Sequence, residues 1–240
     1  MTWVSSTDRF RVPTGTLRMA LFIEILQRFP PGHLLDLGTG HGIFARLAAD
    51  IGWKVTAMDA RETRFPNDSR IQWVHEDVRN FDIAGYDVIS CLGLWYHLTL
   101  DDQLDIAKRA QGTPLVIDTH FAKLNWQDHL KSRKVLSRRL VKDRGYEGRL
   151  YNETDLQDRN TASFHNLDSF WPTEQSLRQL LQDAGYDIIE DVRPDVTHDR
   201  RFFVANSIDQ IRGERLDELI GKYMPLAEPT PTPASSADAG

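Results

Sequence analysis

Two hydrophobic periods alternate along this chain. Between residues 16 and 29, Leu17, Leu21 and Ile25 recur with Met19, Phe22 and Leu26 at helical spacing, and Pro30-Pro31-Gly32 stops the run. Short apolar runs then predict strands: His33-Leu34-Leu35-Asp36-Leu37, Lys54-Val55-Thr56-Ala57-Met58, Ile71-Gln72-Trp73-Val74-His75, Tyr86-Asp87-Val88-Ile89-Ser90-Cys91-Leu92 and Thr113-Pro114-Leu115-Val116-Ile117-Asp118. The link from second to third strand is short and holds Pro66, which leaves room for a turn or two of helix. After Asp118 the alternation lapses for about fifty residues, longer than an ordinary loop, and predicts a helical cap insert at about 119–170. Thr173 then caps a helix running to Ala184 and ended by Gly185. Residues 186–192 and 201–205 read as a strand pair, and 208–223 as an amphipathic helix interrupted by Gly213. The chain thus divides into an arm and helix (1–32), a main domain (33–224) and a tail (225–240) whose Pro, Ser, Thr and Ala predict disorder.

The first strand runs straight into Gly38-Thr39-Gly40-His41-Gly42, and a helix opens directly after it. Such a turn lets backbone approach a ligand closely, and the helix start offers unpaired N–H groups. Asp59 follows about 20 residues beyond the glycines, where a carboxylate binds ribose hydroxyls. The spacing is Gly38-x-Gly40-x-Gly42 rather than the dinucleotide G-x-G-x-x-G, and Asp36 on the strand opposes a pyrophosphate while suiting an ammonium group. Nicotinamide-dependent oxidoreduction is disfavoured on both counts.

These residues resemble the h-h-D-h-G-x-G-x-G segment of class I S-adenosylmethionine-dependent methyltransferases, and the resemblance covers roughly residues 33 to 118. It implies an α/β, Rossmann-like three-layer sandwich with a seven-stranded, mostly parallel sheet, its last strand antiparallel, and a helical insert after strand five. It also implies S-adenosylmethionine as cofactor. Asp36, Gly38, Gly40 and Gly42 would form the cofactor loop, and Asp59 would bind ribose. Asp77 would accept from the adenine amino group beside the Val78 N–H, and Leu92 would touch the methionine end. Gly93-Leu94-Trp95-Tyr96-His97-Leu98 is similar to the G-h-h-Y-H-L segment of a subgroup that includes tRNA wobble-uridine O-alkylating and small-molecule methyltransferases.

Ligands in open α/β sheets bind beyond the carboxyl ends of the strands, so groups after the fourth and fifth strands face the chemistry. His120 is the first candidate for a general base and His97 the second, with Asp118 orienting a base or binding substrate. A hydroxyl is a poor nucleophile at neutral pH, and an imidazole is suited to removing its proton. The competing readings are a helix-capping or backbone-bonded His97, an exposed loop His120 and an Asp118 that caps the next helix. Trp95, Tyr96, Arg149 and Tyr151 are candidate substrate contacts. Residues 131–144 are basic and predict a helix with a solvated face, Val135, Leu136, Leu140 and Val141 packing inward; the competing reading has these charges meet the phosphate or carboxylate of an anionic substrate.

Composition narrows the choice. A formal net charge of −6 argues against general affinity for nucleic acid. No apolar run reaches the roughly 20 residues of a membrane span, and the start lacks a signal-peptide layout. One cysteine, Cys91, excludes an internal disulfide and fits a reducing, cytoplasmic setting. No Cys/His spacing suggests zinc, and Asp118 alone is a poor magnesium site, so no metal is expected. The segment after the fourth strand lacks the N/D-P-P-Y turn of amino methylation, and Ser90-Cys91 is not a Pro-Cys pair. The expectation is O-methylation of a sugar, glycan or specialised metabolite, a homodimer remaining open. An RNA acceptor and a non-catalytic S-adenosylmethionine-binding partner protein are the alternatives.

Overall fold

The computed structural model describes residues 14–129, 134–154, 163–192 and 200–207. The arm before residue 14, the helix expected at 208–223 and the tail lie outside the described residues.

Seven strands form the main sheet: β1 (His33–Leu37), β2 (Lys54–Asp59), β3 (Ile71–His75), β4 (Val88–Leu92), β5 (Leu115–His120), β9 (Ile188–Val192) and β10 (Arg200–Asn206). Their order is β3-β2-β1-β4-β5-β10-β9. β1 through β5 pair in parallel, and β10 runs antiparallel to both neighbours. The order reverses between β1 and β4, the switch point at which open α/β sheets bind ligands.

Side-chain alternation explains the three layers. Leu35, Leu37, Met58, Ile89, Cys91, Leu115 and Ile117 point to one face and pack with Ile106 and Ala107 of α3 (Leu100–Arg109) and Leu177, Leu180 and Leu181 of α4 (Glu174–Asp183). Their neighbours Leu34, Val55, Ala57, Val88, Leu92 and Val116 meet Phe22, Ile25 and Leu26 of α1 (Thr14–Leu26) and Ala45 and Ala48 of α2 (Ile43–Asp50) on the other face. Strands covered on both sides read as near-continuous apolar runs, which is why the sequence announced them. Each buried aliphatic side chain contributes about 1.5–3 kcal/mol to holding the layers. Between β2 and β3 there is only a 3₁₀ turn, Glu62–Arg64, as Pro66 required. The Thr173 hydroxyl caps α4 by accepting from Ser176 N–H, and Gly185 follows with φ +97°.

The insert corrects an expectation. Its described residues hold a three-stranded antiparallel sheet, β6 (Val141–Asp143), β7 (Tyr146–Asn152) and β8 (Asp168–Pro172), plus a 3₁₀ turn at Trp126–Asp128. No α-helix occurs in the described part of residues 131–144. Arg144 and Gly145 both have positive φ, 49° and 95°, and join β6 to β7 in a two-residue hairpin. Pairing across this hairpin, Val141 with Gly148 and Leu136 with Tyr151, overrides the helical spacing of the apolar residues. Among the described residues no helix is long and apolar enough to cross a membrane.

Candidate active site

The ends of β1, β2, β3 and β4 surround a cavity of about 370 Å³, within the size range of small-molecule sites. Its floor is the glycine loop. Gly38 has φ +65°, and a Cβ there would stand 2.9 Å from the Leu94 side chain; at Gly42, also at φ +65°, it would stand 2.4 Å from the Trp73 ring. Only glycine meets both demands. Gly40 donates its N–H to Asp59 Oδ2 at 3.0 Å, and the Arg61 N–H reaches Asp59 Oδ1 at 2.8 Å. The carboxylate at the β2 terminus is therefore fixed at the cavity wall.

Gly38, Gly40, Asp59, Asp77, Val78 and Leu92 all line the cavity; Gly42, expected with them, does not and packs against Trp73. Asp77 accepts from Arg79 through Nε (2.9 Å), Nη2 and the backbone N–H. Burial pushes the Asp77 pKa up, but these bonds outweigh it and hold the carboxyl below its ordinary value. Asp36 is placed differently from the expectation. It lies buried beneath the loop, does not line the cavity, and accepts from Thr39 Oγ1 at 2.6 Å and Ser90 Oγ at 2.7 Å. Burial raises its pKa to about 6 against the pull of both hydroxyls.

The strand-exit turn carries the next group. Trp95 is fully buried in the core, which removes it from the substrate contacts, whereas Tyr96 and His97 line the cavity. The buried Gln103 side-chain amide donates to the carbonyls of Trp95, Leu98 and Phe170 and holds this turn. Asn166 Nδ2 donates to the His97 carbonyl at 2.7 Å, and Trp171 Nε1 to that of Tyr96 at 2.9 Å. His97 Nδ1 lies 2.8 Å from Oε1 of Glu153, a fully buried carboxylate just past β7.

His120 and Asp118 are used otherwise. The His120 ring stacks on Trp171 (5.0 Å, 10°), which in turn stacks on Tyr151 (5.1 Å, 4°), and His120 Nε2 lies 3.3 Å from Arg200 Nη1. Neither His120 nor Tyr151 lines the cavity. Asp118 is buried and accepts from Arg18 Nε at 2.6 Å and from Arg200 at 2.8 Å through both Nε and Nη2. Both guanidiniums it holds line the cavity, whereas Asp118 itself does not. Burial lowers the Arg200 pKa, and the adjacent Asp118 charge more than reverses this, so its pKa is raised. Arg149 is also corrected: it is buried in the insert, and its guanidinium donates to the carbonyls of Lys123, Leu124, Ser137 and Arg138.

Several lining residues had no sequence signal. Arg18 comes from α1 and Arg200 from β10, and both close on Asp118. Arg61 and Arg79 reach across to the segment at 163–166, Arg61 Nη2 donating to the Ser163 carbonyl (3.0 Å) and Arg79 Nη2 to that of Phe164 (3.2 Å). Each of these contacts spans more than 80 positions, so no local pattern marks it.

A model of the methyltransferase domain matches residues 14–191. The chain belongs to the S-adenosylmethionine-dependent class I methyltransferase family. No curated protein matches this methyltransferase by sequence. Its fold is shared with solved structures at low identity. The N-terminal domain of EvdMO1 with S-adenosylhomocysteine bound is 19% identical, with a TM-score of 0.61, over 81% of this chain and 80% of that one. The 1,6-didemethyltoxoflavin N1-methyltransferase of Burkholderia thailandensis is 20% identical, with a TM-score of 0.51, over 78% and 76%. The glycopeptide N-methyltransferase MtfA, complexed with S-adenosylmethionine, is 15% identical, with a TM-score of 0.53, over 79% and 93%.

Proposed function

We propose that this methyltransferase O-methylates a hydroxyl of a sugar, glycan or specialised metabolite, with His97 as the general base. The observation that carries the reading is the pairing of His97 Nδ1 with the buried Glu153 on a ring that lines the cavity at the β4 exit. Of the two candidate bases, His97 lines the cavity and His120 does not, which supports this reading.

The residues present fit the cofactor: Gly38 and Gly40 of the glycine loop at the cavity wall, the Asp59 carboxylate for ribose, and Asp77 with Val78 for adenine. Arg18, whose guanidinium lies near Gly93 at the β4 exit, supplies a cation for the amino-acid carboxylate. Bound there, S-adenosylmethionine supplies an electrophilic methyl group on a sulfonium. The protein's own task is then to orient the acceptor and accept its proton. His97 Nε2 takes the hydroxyl proton as the acceptor oxygen becomes an ether, and bulk water later receives it. Tyr96 offers an aromatic face beside the His97 ring, which suits sugar rings and flat metabolites alike.

The test is incubation of the purified chain with methyl-labelled S-adenosylmethionine and fractionated cell extract, followed by mass spectrometry of the labelled product. A methyl ether supports the reading. Label on nitrogen or in RNA replaces it, and cofactor binding with no labelled product in any fraction favours a non-catalytic binding protein.

A further inference from the structure

We infer that Glu153 is a positioning residue that fixes the tautomer of His97, so that the insert completes the reaction centre. The inference rests on the His97 reading above and deepens it.

Glu153 is fully buried, and three donors converge on its two oxygens: His97 Nδ1 and Ser169 Oγ on Oε1, and the Ser163 N–H on Oε2 at 3.3 Å. An ionised carboxylate accepts all three, because it has about four lone-pair sites and no proton to place. Nδ1 of His97 must then be the protonated nitrogen, which leaves Nε2 with the lone pair that proton removal needs. The partner comes from 56 positions away in sequence, just past β7 of the insert, whereas His97 sits on the turn after β4. Two further ties keep the ring in place: Asn166 holds the His97 carbonyl, and Ser169 belongs to β8, whose Phe170 carbonyl is held by Gln103. A buried carboxylate on an imidazole orients it and stabilises the cation formed when it takes a proton.

Glu153→Gln reverses this logic. The Ser163 backbone N–H can only donate, so the glutamine oxygen turns toward it and the amide NH₂ faces His97. Nδ1 must then accept, and the ring proton moves to Nε2, the wrong nitrogen for a base.

The experiment uses the full chain, uniformly ¹⁵N-labelled and saturated with S-adenosylhomocysteine. The His97 ring nitrogens are assigned by their loss in His97→Gln and read at a pH where imidazole is neutral. The wild type is expected to carry its proton on Nδ1, and Glu153→Gln on Nε2. Turnover on the acceptor fraction should fall about 10²–10⁴-fold in Glu153→Gln. Its S-adenosylhomocysteine affinity should be unchanged by calorimetry, and Glu153→Asp should recover part of the lost rate. A wild-type His97 protonated on Nε2 overturns the inference, as does a Glu153→Gln enzyme of unaltered tautomer or rate. If Glu153→Gln does not fold, the wild-type spectrum decides. If no acceptor is ever methylated, the proposed function fails, and the spectra still decide the role of Glu153.

Discussion

Arg200 grips Asp118 with two parallel hydrogen bonds, Nε to Oδ1 and Nη2 to Oδ2, both 2.8 Å long. Arg18 closes on the same carboxylate from α1. One buried anion therefore serves two cations. Asp118→Asn removes the buried charge that both guanidiniums share, and breaking a buried ion pair typically costs about 3–5 kcal/mol. Urea denaturation should register a loss of this order. A variant as stable as the wild type would show that the arginines are solvated and the clamp is unimportant.

Asp59 offers a more direct test of the cofactor site. Asp59→Ala removes the acceptor for the Gly40 and Arg61 N–H groups and the proposed ribose ligand together. The loss of a charge-assisted hydrogen bond should weaken S-adenosylhomocysteine binding by about 1.5–3 kcal/mol. Calorimetry reads this directly, and unchanged affinity would refute the ribose assignment.

The two histidines separate by the kind of defect each substitution produces. His97→Ala should lower kcat by about 10²–10⁴-fold with cofactor affinity intact, because it removes the proton acceptor. His120→Ala removes a ring stacked on Trp171 and should cost about 0.5–1.5 kcal/mol of stability, with a smaller effect on kcat. Steady-state kinetics alongside thermal unfolding distinguishes the two, and a larger kcat loss in His120→Ala would return the base to the β5 terminus.

The sequence disclosed what is local and periodic. The apolar strands, the glycine turn and the Thr173 cap each lie within a few residues, and strands buried on both faces announce themselves as near-continuous apolar runs. The insert is harder to read because Val135, Leu136, Leu140 and Val141 fit a helix as well as a strand. The better signal was Arg144-Gly145, a hairpin turn between short β-prone runs. Arg149 looked like a ligand because charge is visible in sequence, whereas the four carbonyls that surround it are not. Glu153 and Arg200 escape notice for the converse reason: each acts through a partner 56 or 82 positions away.

Asp36 makes stability depend on pH with a definite sign. Its folded pKa of about 6 exceeds the ordinary carboxylate value because the group is buried. The native state therefore binds more proton than the unfolded chain between roughly pH 4 and 6. Its contribution is fully present below the unfolded pKa and is lost as pH rises through the folded one. Asp36→Asn lacks this penalty. Its stability relative to the wild type should rise between roughly pH 4 and 7 by up to about 3 kcal/mol, because each pH unit between the unfolded and folded values is worth about 1.4 kcal/mol. Parallel urea titrations across that range measure the difference, and a flat difference would mean that Asp36 titrates normally. A cation above the loop stabilises the ionised form, so saturating S-adenosylhomocysteine, which carries an ammonium group, should flatten the pH dependence. If the slope is the same with and without it, the carboxylate beneath Gly38 and Thr39 does not sense the ligand, and its place in the cofactor site is structural alone.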